Sequence, residues 1–387
     1  MNNRMPAITP RAFLLPLFLL ALAAPLAAQA LPIPDPPSFD AESYILVDHH
    51  SGQTLAAKNP DQRIEPASIT KLMTAYIAFA EIESGNLALD EKVTVSEKAW
   101  RMGGSKMFIE VGKQIPVKDL LEGIIVVSGN DATVALAEHI AGSEDSFAAY
   151  MNQYAKDLGL DDSHFTNATG WPDPDHYMSA RDIARLTRAI IRDFPDLYGK
   201  YYGQREFTYN EIKQYNRNSL LWTDASVDGV KTGHTESAGY CLVASADRNG
   251  MRLISVVTGT DSNNARKTAS ASLLNYGYRF FETYKLFDAD QTITEVRVWK
   301  GAEKMLPVSA DGPVYVTAPR GARDKLSSQA ALRSGLTAPI AGGAQIGRLE
   351  VAFDGETIHD LPLFAAEPVP AGGIVRSLTD EVLLLFQ

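Results

Sequence analysis

From Leu72 to Ile82 the apolar residues of "LMTAYIAFAEI" fall on every side of a 3.6-residue period. This predicts a helix buried all round, opening near Ser68. Two further apolar segments, "LLEGIIVV" and "ATVALAEHI", read as helices meeting at Ser128-Gly129-Asn130, and "SARDIARLTRAIIRDFP" reads as an amphipathic helix stopped by Pro195. The period then changes from helical to alternating. "VDGVKTGHTESAGYCLVASADRNGMRLISVVTGT" predicts antiparallel strands with a hairpin turn at "DRNG", before "ARKTASASLLNYGYRFFETY" returns to helix. Upstream, "SYILVDHHSGQTLAAKN" predicts another hairpin whose turn carries His49 and His50 into solvent. Neither HExxH nor a close Cys/His cluster accompanies them, so a metal site is not expected. Helices enclosed between an early hairpin and later strands define an α+β layered domain. Beyond about Leu286 the pattern is short alternating strands with Asp-Gly turns at 311–312 and 354–355, a small all-β domain without catalytic motifs.

The ends of the chain differ from its body. Residues 1–30 carry Arg4 and Arg11, then an apolar run, then Ala28-Gln29-Ala30, the small-x-small pattern of a cleavable signal peptide. Pro16 and Pro25 interrupt the run, which argues against a membrane span. Export with cleavage after Ala30 is expected, leaving a Pro-rich tether over 31–40. At the other end, "GGIVRSLTDEVLLLFQ" predicts an amphipathic tail over 373–387, with Ile374, Leu378, Val382, Leu385 and Phe386 on one side. Asp380 and Glu381 oppose a single Arg376 there, so any hold on a membrane surface would rest on apolar burial alone, and the tail is too short to span.

Composition narrows the function classes. The chain of 387 residues has a net charge of −11, and loss of Arg4 and Arg11 makes the exported form more acidic still. Such a surface repels nucleic acid and anionic lipid. Cys241 is the sole cysteine, so no intramolecular disulfide forms, and its place in the alternating run "GYCLVASA" makes it a buried strand residue rather than a nucleophile.

Three short signals remain: Ser68-x-x-Lys71, Ser128-Gly129-Asn130 and Lys231-Thr232-Gly233. Lys71 lies one helical turn after Ser68, on the same face, in an apolar turn that lowers its pKa towards the neutral form a base requires. The helix start also aims unpaired N–H groups at the position of a developing oxyanion. Ser-Gly-Asn occurs twice. The copy at 84–86 lies sixteen residues of helix from Ser68, about 24 Å away, and reads as a helix-terminating cap. The copy at 128–130 sits between two packing helices and can face Ser68, supplying a relay hydroxyl and an orienting amide. Lys231-Thr232-Gly233 opens a strand pattern along which an extended peptide could pair, with Lys231 and Thr232 holding a carboxylate. Asn167-Ala168-Thr169 matches a glycosylation triplet by chance.

Together these motifs resemble those of the serine penicillin-recognising enzymes. "PASITKLMTAY", "VVSGNDATVALAEHIAGSEDSFAAYMN", "FTNATGWPDPDHYMSARDIA", "KQYNRNSLLW" and "VDGVKTGHTESAGYCLVASA" are similar to segments of low-molecular-mass D-alanyl-D-alanine carboxypeptidases. The resemblance implies a β-lactamase/transpeptidase-like catalytic domain over 41–285 and a β-sandwich-like domain over 286–372. It implies Ser68 as acyl-accepting nucleophile, Lys71 as general base, Ser128 as proton relay and Asn130 as orienting partner. Lys231, Thr232 and Gly233, with His234 and Arg217, would bind substrate; the backbone N–H groups of Ser68 and His234 would form the oxyanion hole. The implied substrates are peptidoglycan pentapeptide stems, with β-lactams acylating the same serine, in the periplasm beside the inner membrane, and with no metal or cofactor. A class A β-lactamase would need a glutamate and asparagine for a deacylating water; Glu206 and Asn210 spell that spacing, but in a strand-like stretch close to Lys231. A DD-endopeptidase would share every catalytic residue, and a noncatalytic wall-binding protein would need the groove without an activated serine.

Overall fold

The computed structural model describes residues 33–384. The expected signal peptide, and Leu385 and Phe386 of the tail, lie outside the described residues.

The alternation read from the sequence becomes a sheet with two buried faces. Strands β1 (Ser43–Asp48) and β2 (Thr54–Lys58) form the early hairpin. After them come helices α1 (Lys71–Glu83), α2 (Val117–Ile125), α3 (Asn130–Ala141) and α4 (Ala180–Asp193). Strands β3 (Val227–Thr235), β4 (Gly239–Arg248) and β5 (Met251–Thr260) follow, then helix α5 (Asn263–Phe280). The antiparallel order is β2-β1-β5-β4-β3, so the first hairpin docks on the last-formed strand and β3 is left at an edge. The β4–β5 turn uses Asn249 and Gly250 at φ 57° and 82°, the left-handed pair that matches strand twist. Tyr44, Leu46, Leu242, Ala244, Leu253 and Val257 face α5 and pack on its Leu273 and Leu274. Their neighbours Ile45, Val47, Val243, Ile254 and Val256 point the other way, into the helical core.

Helix α1 runs through that core and is buried continuously from Lys71 to Phe79, which explains its lack of a polar face. The expected opening near Ser68 is refined: Ala67–Thr70 form a tighter 3-10 turn, and the α-helix begins at Lys71. It ends at the first Ser-Gly-Asn, where Gly85 takes φ 78° and the N–H groups of Asn86 and Leu87 return to Glu81 O. Pro195 does more than stop α4, because it also opens the helix Pro195–Tyr201 as its first residue.

The remaining strands are β6 (Phe281–Phe287), β7 (Thr294–Arg297), β8 (Met305–Ala310), β9 (Val314–Pro319), β10 (Leu326–Leu332), β11 (Gln345–Phe353) and β12 (Glu356–Ala365). They form the small all-β unit, in which β6 pairs with β9 and a five-stranded sheet runs β7-β8-β12-β11-β10. Val308, Val316, Leu349, Val351 and Leu363 supply its separate core. Contrary to expectation, the His49–His50 turn is only half exposed to solvent. His50 stacks on Tyr315 at 4.7 Å, and Ser51 Oγ lies 2.7 Å from Thr317 Oγ1. The buried Asp48 carboxylate accepts from Ser51 N and Thr283 Oγ1, tying the catalytic sheet to β6. Burial, with repulsion from neighbouring cations, holds His49 down at about 3, so the junction carries a neutral imidazole.

Candidate active site

Ser68 sits in a turn held from both sides by glycine. Ala67, just before it, takes φ 47°, in the left-handed region that costs a residue with a Cβ about 1–2 kcal/mol. Two close approaches enforce that turn. A Cβ on Gly170 would lie 1.8 Å from Ala67 O, and one on Gly233 would lie 2.9 Å from Pro66 O. The glycine of Lys231-Thr232-Gly233 therefore lets β3 press against the protein's own serine turn, where the sequence suggested room for a ligand backbone. The motif also lies well inside β3 rather than at its start.

Lys71 is 1% exposed, and its Nζ has three neighbours: Ser68 Oγ at 2.9 Å, Asn130 Oδ1 at 2.7 Å and the carbonyl of Thr169 at 2.8 Å. Burial, then repulsion from Arg217, brings its pKa down to about 7, with Asp131 partly opposing. Asn130 is oriented by its own Nδ2, which donates to Gly103 O at 2.8 Å, so Oδ1 faces Lys71. A neutral amine has two N–H groups and one lone pair. Asn130 Oδ1 and Thr169 O can only accept, so they take both N–H groups. The lone pair is left for the Ser68 hydroxyl, which is the alignment proton abstraction needs.

Ser128 stands between α2 and α3 at φ 63°, a strained conformation at a side chain that is 3% exposed. Gly129 N donates to Gly123 O at 2.8 Å and Asn130 N to Ser105 O at 2.7 Å, fixing that turn. Next to it the fully buried Asp131 accepts from the backbone N–H groups of Met107, Phe108, Ile109 and Ala132, which binds the 103–109 loop to the start of α3. Lys231 is the residue whose position the sequence did not convey. Its Nζ donates to Ser128 Oγ at 2.8 Å and to Thr232 O at 3.0 Å, so it lies behind Ser128. Burial first, then repulsion from Lys71, Arg217 and Arg266, pushes it well below the usual lysine range.

Lys71 and Lys231 lie beneath a cleft of 1210 Å³ whose lining includes Ser68, Ser128, Asn130, Arg217, Thr232, His234 and Arg266. Arg266 had no place in the motif reading. Only 5% exposed, it donates to the carbonyls of Gly233 and Cys241 and to Asn263 Oδ1, none of them a carboxylate. With Arg217 it gives the cleft a cationic wall suited to a carboxylate. A signal for it did exist: Arg266 shares a helical face with Ala269, Ser270 and Leu273, where a charge is out of place unless used. Cys241 is buried as expected, its thiol pushed up to about 11 by desolvation. The Glu206 and Asn210 spacing falls on a surface hairpin, where Glu206 pairs with Lys213, and it contributes nothing to the cleft. The first Ser-Gly-Asn lies at the far end of α1, with Ser84 Oγ bonded to Glu81 O. Among the described residues no group of three His, Cys, Asp or Glu is placed to hold a metal.

Comparison with known proteins places this cleft in a lineage. Residues 31–262 match the family model for D-alanyl-D-alanine carboxypeptidase, and 281–371 match that for the C-terminal domain of penicillin-binding protein 5. The D-alanyl-D-alanine carboxypeptidase DacA of Escherichia coli strain K12 is 41% identical over 362 residues, covering 92% of this chain and 90% of that protein. Among solved structures, penicillin binding protein 5 from Haemophilus influenzae aligns with a TM-score of 0.82 at 43% identity, covering 87% of this chain and 99% of the other. Penicillin binding protein 6B from Escherichia coli aligns with a TM-score of 0.71 at 36% identity, covering 85% and 96%.

Proposed function

The chain belongs to the D-alanyl-D-alanine carboxypeptidase family of serine peptidases, and from that premise we propose that Ser68 attacks the penultimate D-alanyl carbonyl of peptidoglycan pentapeptide stems, releasing the terminal D-alanine. The observation that carries this reading is the position of Lys71 Nζ, within hydrogen-bond reach of two pure acceptors, Asn130 Oδ1 and Thr169 O, and of Ser68 Oγ, which in the neutral amine leaves the lone pair to Ser68. Lys71 takes the serine proton as the Oγ–C bond forms. The N–H groups of Ser68 and His234 receive the oxyanion. Ser128, held by Lys231, relays that proton from Lys71 to the amine as the C–N bond breaks, which returns Lys71 to its neutral form; water then gives a proton to Lys71 as it attacks the acyl-serine, and that proton returns to Ser68 Oγ as the ester bond breaks. Thr232, Arg217 and Arg266 hold the terminal carboxylate, and β3, as an edge strand, offers backbone to an extended stem. β-Lactams enter by the same attack on Ser68.

Release of one D-alanine per D-Ala-D-Ala peptide, measured by amino-acid assay, is the expected result; its absence at every pH from 6 to about 9, a range chosen to bracket Lys71, would contradict the reading. The twin tripeptides give a sharper contrast. Ser128→Ala should slow turnover about 100-fold, the range of lost acid–base assistance, while Ser84→Ala should leave it unchanged. Equal losses in the two variants would remove the relay.

The N-terminal pattern supports export to the periplasm, and the tail helix α6 (Ile374–Leu384) supports attachment to a membrane surface. Its acids are already partnered: the buried Asp380 accepts at Oδ2 from Lys300 N at 2.7 Å, and the exposed Glu381 pairs with the Lys300 ammonium. Ile374 and Val375, each 81% exposed, are left outward with Leu378 and Val382. The acidic residues that seemed to oppose binding are thus neutralised against the β domain. The full chain should sediment with zwitterionic lipid vesicles in a salt-insensitive manner, and a chain ending at 373 should not. Retention by the truncated chain would rule the tail out as anchor.

A further inference from the structure

Asn167 begins a triplet that the sequence explained only as coincidence, yet it organises the segment facing Lys71. Its Oδ1 accepts from the backbone N–H groups of Thr169 (3.1 Å), Gly170 (2.8 Å) and Trp171 (3.0 Å), and from Thr169 Oγ1 (3.0 Å). Its Nδ2 donates to Trp171 O at 2.9 Å. One of these bonds has a geometric consequence. The N–H of Gly170 and the C=O of Thr169 belong to the same trans peptide unit and point in opposite directions. Fixing that N–H on Asn167 Oδ1 therefore turns the Thr169 carbonyl away from Asn167, and it meets Lys71 Nζ at 2.8 Å.

The segment cannot drift from α1, because it is fastened on either side of that bond. Thr74 Oγ1 donates to Ala168 O at 2.7 Å, and Gly170 lies flush against Ala67 O. The buried His176 adds a further tie. Its Nδ1 accepts from Thr166 N at 3.1 Å, so its proton is on Nε2 and is donated to Thr70 Oγ1 at 2.8 Å. Desolvation holds that imidazole at about 4, so it stays neutral wherever Lys71 can act as a base.

We propose that Asn167 is a positioning residue for acyl transfer: by holding the Gly170 N–H it aims the Thr169 carbonyl at Lys71, and so keeps the amine's lone pair on Ser68. The proposal rests on the reading of Lys71 as general base. Without Oδ1 the 169–170 peptide is free to rotate, the amine regains a choice of orientation, and the fraction of time the lone pair faces Ser68 falls.

The test compares Asn167→Ala, Asn167→Asp and Lys71→Ala in the full chain, reading the rate of acylation by benzylpenicillin, D-alanine release, their pH profiles and the thermal midpoint. Asn167→Ala should acylate about 30-fold more slowly, within the loss that a displacement near 1 Å produces, with KM for the peptide little changed. Its acid limb should move to lower pH, because the ammonium form loses a carbonyl acceptor. Asn167→Asp retains the acceptor and should acylate within about 3-fold of the parent, with the limb moved to higher pH by the added charge. A purely structural role predicts the reverse for Asn167→Ala: an opened segment hydrates Lys71 and its limb moves up, together with a lower thermal midpoint. That outcome, an unchanged rate in Asn167→Ala, or an Asn167→Asp variant as slow as the alanine one, overturns the proposal. Failure of the underlying reading looks different, since Lys71→Ala would then remain active whatever Asn167 does.

Discussion

Replacing Ser68 by alanine is expected to lower D-alanine release at least about 10⁴-fold, as loss of a covalent nucleophile does in serine peptidases, and to abolish labelling by fluorescent penicillin. The physical reason is local. The hydroxyl is presented by a turn that requires left-handed backbone at Ala67 and direct contact with Gly170 and Gly233, and none of that geometry supplies a substitute nucleophile. Thr70, two residues on, points to His176 instead. Because Ser68 is a surface of the cleft rather than part of the core, Ser68→Ala should fold with an unchanged thermal midpoint. Retained labelling in a folded Ser68→Ala protein would show that acylation occurs elsewhere.

Replacing Lys71 by alanine should cost about 10³–10⁴-fold, near the upper range for a positioned general base, and should remove the acidic limb of the pH profile. The sign follows from its lowered pKa. Above about pH 7 Lys71 is neutral and can accept the serine proton; below it the added proton occupies the lone pair. The parent enzyme's kcat/KM should therefore fall tenfold per pH unit below about 7, a one-proton dependence. Lys71→Arg should be as inactive as the alanine variant, because a guanidinium stays charged. A parent profile that is flat through pH 7, or limb retention in Lys71→Ala, would assign the base to another group.

The sequence carried local information well and non-local information poorly. Helix α1 announced its burial by having no polar face, and Asn249-Gly250 announced a hairpin through residues that tolerate left-handed backbone. The three motifs could be given roles because their positions on helices and strands were readable, and helix length separated the two Ser-Gly-Asn copies. What was not readable depends on contacts between distant positions. Lys231 donates to Ser128 across 103 residues, which no pattern around either could signal. The partner of Gly233 is Pro66, so the reason for a glycine there belongs to the serine turn rather than to the substrate. The half-buried His49–His50 turn follows from docking of the β domain, and Asn167 acts through a peptide plane two residues away. Arg266 is an intermediate case: its helical face marked it as buried, but only the folded sheet shows that it opens on the cleft.

The central claim is that an acyl group passes through Ser68 under the control of a neutral Lys71. The most direct measurement is acid-quenched peptide mapping by mass spectrometry after brief exposure to benzylpenicillin at pH 6 and pH 8. A single acyl group on the peptide containing Ser68, formed several-fold faster at the higher pH, is the predicted result. Acylation at another residue, or the same rate at both pH values, would contradict it.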